Sequence, residues 1–170
     1  MADSTVQHTP QHQTKQQLYK QPNSKHCFVC GVENHHGLQL AFYHDEGGTV
    51  YAETTVSDHF QGYPGTVHGG IVAAMLDEVA TRVAMAEDPN NFQVTARMTI
   101  RYRKKVPTGE LLQMVGRIER EGSRASKATA ELWLPDGTLG AEAEALMVDY
   151  PEPFASEGDL EQLGWKVYPD

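Results

Sequence analysis

Hydrophobic and polar positions divide the chain into stretches of two periods. Along "FQVTARMTIRYRKK" (92–105) the period is two. Val94, Ala96, Met98, Ile100 and Tyr102 fall on one side, and Thr95, Arg97, Thr99, Arg101 and Arg103 on the other. That is the pattern of a strand with one covered face. "LLQMVGRIERE" (111–121), "SKATAELWL" (126–134) and "TLGAEAEALMVDY" (138–150) read as further strands. The joints "PTGE", "EGSR" and "PDGT" each carry a turn-forming Gly. Four strands with short joints predict an antiparallel meander. Upstream, "LQLAFYHD" and "TVYAETTV" flank "EGG" and predict a hairpin. No internal repeat is visible.

Between the two groups of strands the period changes. With residues 71–86 placed at ~100° per residue, Val72, Met75, Leu76, Val79, Val83 and Ala86 form a broad apolar stripe for the sheet to cover. One helix and a run of antiparallel strands make an α+β fold with the helix across one sheet face. Glu78 and Arg82 fall outside the stripe as an i,i+4 pair, expected to face solvent. Loss of Glu78 should then matter little. Asp77 falls elsewhere, among Ala73, Ala80, Thr81 and Ala84. A surface carboxylate is the ordinary reading, but the small neighbours leave room for a second helix or a ligand. The helix opens on "GTVHGG" (65–70). The first N–H groups of a helix lack internal partners and carry partial positive charge, and glycine lets a ligand reach them. The plain alternative is a tight strand-to-helix turn, with His68 as a capping or packing residue.

The 170 residues suffice for one core, and no apolar run approaches the ~20 residues of a membrane span. A formal charge of −9 argues against nucleic-acid binding. The start "MADSTVQHTPQHQTK" lacks a secretory pattern, and two cysteines are too few for a disulfide framework, so a cytoplasmic protein is expected. Residues 1–25 are polar and read as a flexible tail, 26–150 as the folded domain, and 151–170 as a C-terminal extension. That extension carries Phe154, Leu160, Leu163, Trp165 and Tyr168. It is either docked on the domain or an arm that buries Trp165 against a neighbour. "HCFVC", with His26, His35 and His36 nearby, offers Cys27 and Cys30 as metal ligands. A second spaced pair is missing, so the cysteines are expected to pack a loop, with neither metal nor cofactor held.

Five stretches carry a resemblance: "CFVCGVENHHGLQL", "HFQGYPGTVHGGIVAAMLDE", "TARMTIRYRKKVP", "REGSRASKATAEL" and "DGTLGAEAEALMV". In this order, over residues 26–150, they resemble the PaaI-like branch of the hotdog-fold acyl-CoA thioesterases. The resemblance implies a single antiparallel sheet wrapped around one long central helix. It also implies a homodimer with continuous sheets and interfacial active sites, or a dimer of such dimers. The implied reaction is hydrolysis of acyl-CoA to free acid and CoA. By the family's motif Asp77 is the general base or nucleophile, and the Gly69 N–H polarises the thioester carbonyl. His68 and Gly70 complete the helix opening, and Thr95 positions the water. Asn34 matches a further site position, although many relatives place proline where this chain has His35. Related hotdog proteins include dehydratases with a His and acid pair, and modules that sense acyl-CoA without turning it over.

Helix geometry adds a constraint of its own. Gly69 and Asp77 are separated by about 12 Å at ~1.5 Å per residue, whereas a base and a carbonyl-polarising donor must meet around one water and one carbonyl. Two antiparallel helices near a two-fold axis meet that demand with Gly69 from one copy and Asp77 from the other. Five of the fourteen Lys and Arg residues (Arg97, Arg101, Arg103, Lys104 and Lys105) lie in one short strip. Arg103, Lys104 and Lys105, with Arg124, are expected to meet the phosphates of CoA. A solvated strand face explains Arg97 and Arg101 equally well. Phe60, Tyr63 and Met75 are candidates for the acyl pocket.

Overall fold

The computed structural model describes residues 17–122, 125–150 and 157–169. Short strands β1 (Tyr19–Lys20) and β2 (Tyr43–His44) are followed by β3 (Val50–Thr55) and the small β4 (Gln61–Tyr63) and β5 (Thr66–Val67). Helix α1 (Gly69–Arg82) comes next, then long strands β6 (Gln93–Tyr102), β7 (Leu111–Glu121), β8 (Ala125–Trp133) and β9 (Leu139–Asp149), and finally α2 (Glu157–Leu163). The seven-stranded sheet has the order β1-β2-β3-β7-β8-β9-β6, and all of its pairings are antiparallel.

The expected hairpin around "EGG" is present, with Tyr43 opposite Tyr51 and His44 opposite Val50. Asp45 holds its turn by accepting the Thr49 N–H and the Tyr51 hydroxyl, both at 2.9 Å. The first arm is shorter than expected. Leu38 and Leu40 donate their N–H groups to Phe28 and Val29 instead, and the Phe42 carbonyl accepts from Gln21.

The meander holds only for β7-β8-β9. β6 lies beyond β9 at the sheet edge. Its link to β7, residues 103–110, is no hairpin loop: Val106 is buried, and its carbonyl accepts the Val67 N–H at 2.9 Å. Short joints favour adjacency only when they close on themselves, and this one runs alongside β5.

The apolar stripe of α1 packs as its spacing predicts. Val72, Met75, Leu76 and Val79 are buried against Leu112, Met114, Leu132 and Met147 of the sheet. The inward positions of β8 and β9 are mostly alanine (Ala128, Ala130, Ala141, Ala143 and Ala145), which lets the helix lie close. Gly116 completes the fit, because a Cβ there would stand 2.6 Å from the Val79 carbonyl oxygen.

The helix face opposite the sheet departs from expectation. Arg82 is 1% exposed and Glu78 20%. Residues 17–25, expected within a flexible tail, cross this face as part of the fold, with Gln21, Asn23 and Ser24 buried. Residues 1–16 lie outside the described residues. Arg82 donates through Nε and Nη2 to Glu78 Oε1 at 3.1 and 3.0 Å, and through Nη1 to the Pro22 carbonyl at 2.5 Å. Its guanidinium lies over the rings of Phe42 and Trp165, 4.5 and 5.1 Å from their centroids. Of the two placements open to the C-terminal segment, the docked one is found. Trp165 donates its indole N–H to Pro89 O at 3.2 Å, and Lys166 bridges to Asn23. A helical wheel cannot show that distant chain covers a polar face.

Removing one partner of such a buried pair strands the other. Arg82→Ala is therefore expected to destabilise the fold by about 3–5 kcal/mol, read by urea denaturation. Arg82→Met, which preserves packing but not charge, should have a comparable effect, because Glu78 is left unpaired in both. The expectation that Glu78 is dispensable is withdrawn for the same reason.

Candidate active site

The β4–β5 hairpin delivers the chain to His68 at the N-cap of α1. His68 has φ −59° and ψ 137°, and its Nδ1 accepts the Gly70 N–H at 2.9 Å. The cap satisfies Gly70, while the Gly69 N–H has no partner among the described residues. His68, Gly69 and Gly70 are all exposed. The Tyr102 hydroxyl, at the end of β6, donates to the Gly69 carbonyl at 2.9 Å and steadies the peptide. A Cβ on Gly69 would meet only that tyrosine ring at 3.7 Å, an ordinary contact. The fold of one chain thus tolerates a side chain there, and glycine instead keeps the amide open from outside.

Asp77 lies two turns further along α1, half-buried, and its Oδ1 accepts the Thr95 hydroxyl at 2.5 Å. Strict alternation would have put Thr95 with Arg97, away from Met98 and Ile100. A bulge corrects this. Thr95 pairs with Met147 and Arg97 with Leu146, so Ala96 is the extra residue, and Thr95 turns toward the helix. The Thr81 hydroxyl donates to the backbone carbonyls of Asp77 and Glu78 at 3.2 and 3.0 Å. Ala73 and Ala84 are half-buried beside Asp77, whereas Ala80, expected among them, is fully buried in the core.

Other expected site residues divide by what they already bind. Arg103 is engaged with Glu142 at 2.5 Å, and Arg101 lies 4.0 Å from the same carboxylate. Lys104 and Lys105 are exposed, and Lys105 Nζ sits 3.9 Å from where a Cβ on Gly65 would lie, beside the helix opening. Arg124 lies outside the described residues. Asn34 donates to the His26 and Cys27 carbonyls at 3.3 and 3.4 Å and accepts the His36 N–H at 3.1 Å, so its amide ties the 26–36 loop together. Met75 is fully buried, Phe60 meets Phe28 edge-on at 6.2 Å, and Tyr63 is 79% exposed.

The sequence reading missed one constellation. Cys27 and Cys30 do pack a loop, but on Glu78 of α1, with the two sulfurs and a carboxylate oxygen all within 4.8 Å of one another. A hydrogen bond from the Cys30 thiol holds the Cys27 thiol down at about 7, against burial and the nearby Glu78 carboxylate. Donating that bond, together with burial, pushes the Cys30 thiol up. Only the tertiary fold places a helix residue beside this motif.

Comparison with known proteins agrees with this architecture. The sequence model of the Thioesterase superfamily matches residues 64–141. Over 91 residues the chain is 30% identical to "Acyl-coenzyme A thioesterase THEM4" of Mus musculus, a match covering 53% of this chain and 38% of that protein. The chain thus matches less than two fifths of the length of that curated relative. Among solved structures, RHA08564, a thioesterase superfamily protein, is similar with a TM-score of 0.67 at 30% identity, over 74% of this chain and 61% of that one. The E. coli PaaI protein from the phenylacetic acid degradation operon is similar in fold, with a TM-score of 0.61 at 14% identity over 66% and 80% of the two chains. With one antiparallel sheet wrapped around a long helix that opens on His-Gly-Gly, the chain has a hotdog fold, and its residues 64–141 are similar to the Thioesterase superfamily.

Proposed function

We propose that the chain hydrolyses acyl-CoA thioesters at a site shared between two antiparallel copies. The observation that carries this reading is the division of labour along α1. An amide with no partner among the described residues opens the helix, and a carboxylate oriented by a hydroxyl sits about 12 Å further on. Neither group can serve the other's carbonyl within one chain. The sheet supports a paired assembly as well. β6 is a ten-residue edge strand, and an edge of that length invites pairing with a second chain. A homodimer that continues the sheet through β6 brings α1 of each copy near its twin, and two such dimers can associate further.

In the proposed reaction the thioester oxygen accepts the Gly69 N–H of one copy. Thr95 holds Asp77 Oδ1 of the other, which leaves Oδ2 to take a proton from water as the water oxygen attacks the carbonyl carbon. The tetrahedral oxyanion is stabilised by the amide and the positive end of the helix. Collapse breaks the C–S bond, the CoA sulfur takes the proton from Asp77, and acid and thiol leave. Direct attack by Asp77 through an anhydride uses the same placement. His68 and Gly70 shape the helix opening, and Asn34 keeps the neighbouring loop in place. A reducing compartment, the cytoplasm, suits the two free thiols.

The test is the release of CoA thiol from a panel of short, long and aromatic acyl-CoAs. Hydrolysis releases it, whereas dehydration of a β-hydroxyacyl thioester and mere sensing do not. Lys104 and Lys105 are proposed to meet the nucleotide phosphates, while Arg103 is partly committed to Glu142. Replacing both lysines with Ala should raise KM for acyl-CoA about tenfold and leave KM for a nucleotide-free thioester nearly unchanged. Equal effects on the two substrates would remove the lysines from the site.

A further inference from the structure

We propose that Cys27, Cys30 and Glu78 form a binding site for a thiophilic divalent cation, Zn²⁺ foremost, that clamps the 26–36 loop to α1. The three ligand atoms lie within 4.8 Å of one another, with Cys27 Sγ 3.8 Å from Glu78 Oε2. Bonds of about 2.3 Å to sulfur and about 2.1 Å to oxygen at a tetrahedral angle separate the two ligand atoms by about 3.6 Å, so only a small adjustment closes the site.

The loop is shaped as a thiolate turn. Cys27 Sγ accepts the N–H groups of Val29 and Cys30 at 3.3 and 3.4 Å. Gly31 makes the turn possible, because a Cβ there would stand 2.3 Å from the Cys27 carbonyl oxygen. The carboxylate is oriented as well. Arg82 grips Oε1 with two N–H groups and leaves Oε2 toward the sulfurs, the outer-shell arrangement that stiffens metal ligands.

Charge completes the case. A bound divalent cation displaces the thiol protons, and its charge balances the net two negative charges that two thiolates and one carboxylate then present against one guanidinium. A disulfide would satisfy neither the carboxylate nor the turn. The exposed His26, His35 and His36 take no part in the cluster. Solvent reaches half-buried Cys27 and supplies the fourth ligand. The proposed site departs from the sequence-based expectation of no metal.

The test measures metal rather than turnover, so it stands apart from the catalytic proposal. Full-length protein prepared with reductant and zinc, then dialysed, should retain about one zinc per chain. Cobalt in its place should show thiolate-to-metal charge-transfer absorption. Cys27→Ser and Glu78→Gln should each weaken zinc binding more than about 100-fold, and a chelator should lower the Tm of the wild-type protein but not of Cys27→Ser. Because the wild-type titration needs no variant, failure of a variant to fold leaves the test intact. Reduced wild-type protein with no saturable zinc uptake, or uptake undiminished by Cys27→Ser, would overturn the proposal. So would a Cys27–Cys30 disulfide that forms in place of metal binding under these conditions.

Discussion

Asp77→Asn is expected to lower kcat for acyl-CoA hydrolysis by at least about 10²–10⁴-fold while leaving the fold and the proposed dimer in place. The amide oxygen can still accept the Thr95 hydroxyl, which Asp77 Oδ1 accepts at 2.5 Å, so the local hydrogen bond survives and only basicity and nucleophilicity are lost. Asp77→Ala should abolish turnover in the same way, with a further cost of about 1 kcal/mol for the lost bond. Thr95→Val should have the smaller effect of a misoriented carboxylate. The readout is kcat under saturating substrate, with light scattering to follow the dimer. Full activity in Asp77→Asn would end the assignment of Asp77 as base or nucleophile.

Gly69→Pro is expected to cost about 10²–10³-fold in kcat, the scale of one lost oxyanion donor. Proline deletes the one N–H in question and is well tolerated at the first helical position. His68, with ψ 137°, already has the extended conformation that precedes proline, and the space beside position 69 holds no close contact. The fold should therefore persist while the amide disappears. Mixing this variant with Asp77→Asn tests the shared site directly. Each homodimer lacks one group at both sites. Half of a random mixture is heterodimer with one intact site, so activity should return to about a quarter of wild type. A mixture that exchanges subunits and stays inactive would show that both groups act within one chain.

Much of this molecule is legible in its residues. Strands β6 to β9 and the hairpin at "EGG" follow from alternation and turn chemistry, and the stripe Val72, Met75, Leu76 and Val79 follows from helical spacing. These are local properties, carried by period and by where glycine and proline stand. The candidate site was partly legible for a similar reason. His68 caps one helix that also carries Gly69, Gly70 and Asp77, and its rise alone separates Gly69 from Asp77 by about 12 Å.

The bulge at Ala96 was not legible, because one extra residue reverses the face of Thr95 without any mark in composition. Nor was the burial of Arg82, which depends on Gln21, Pro22, Phe42 and Trp165 arriving from far along the chain. The cysteine motif showed two of the three proposed metal ligands and concealed the third, since Glu78 lies 51 residues from Cys27.

The sequence by itself determined the long strands, the "EGG" hairpin and helix α1, and it marked the residues of the proposed chemistry, because backbone preference and amphipathic period act over a few residues. Tertiary structure alone decided where β6 lies, which way Thr95 points, what covers Arg82 and what Cys27 and Cys30 face. Those depend on contacts between distant segments, and the free energy that selects them belongs to the packed whole.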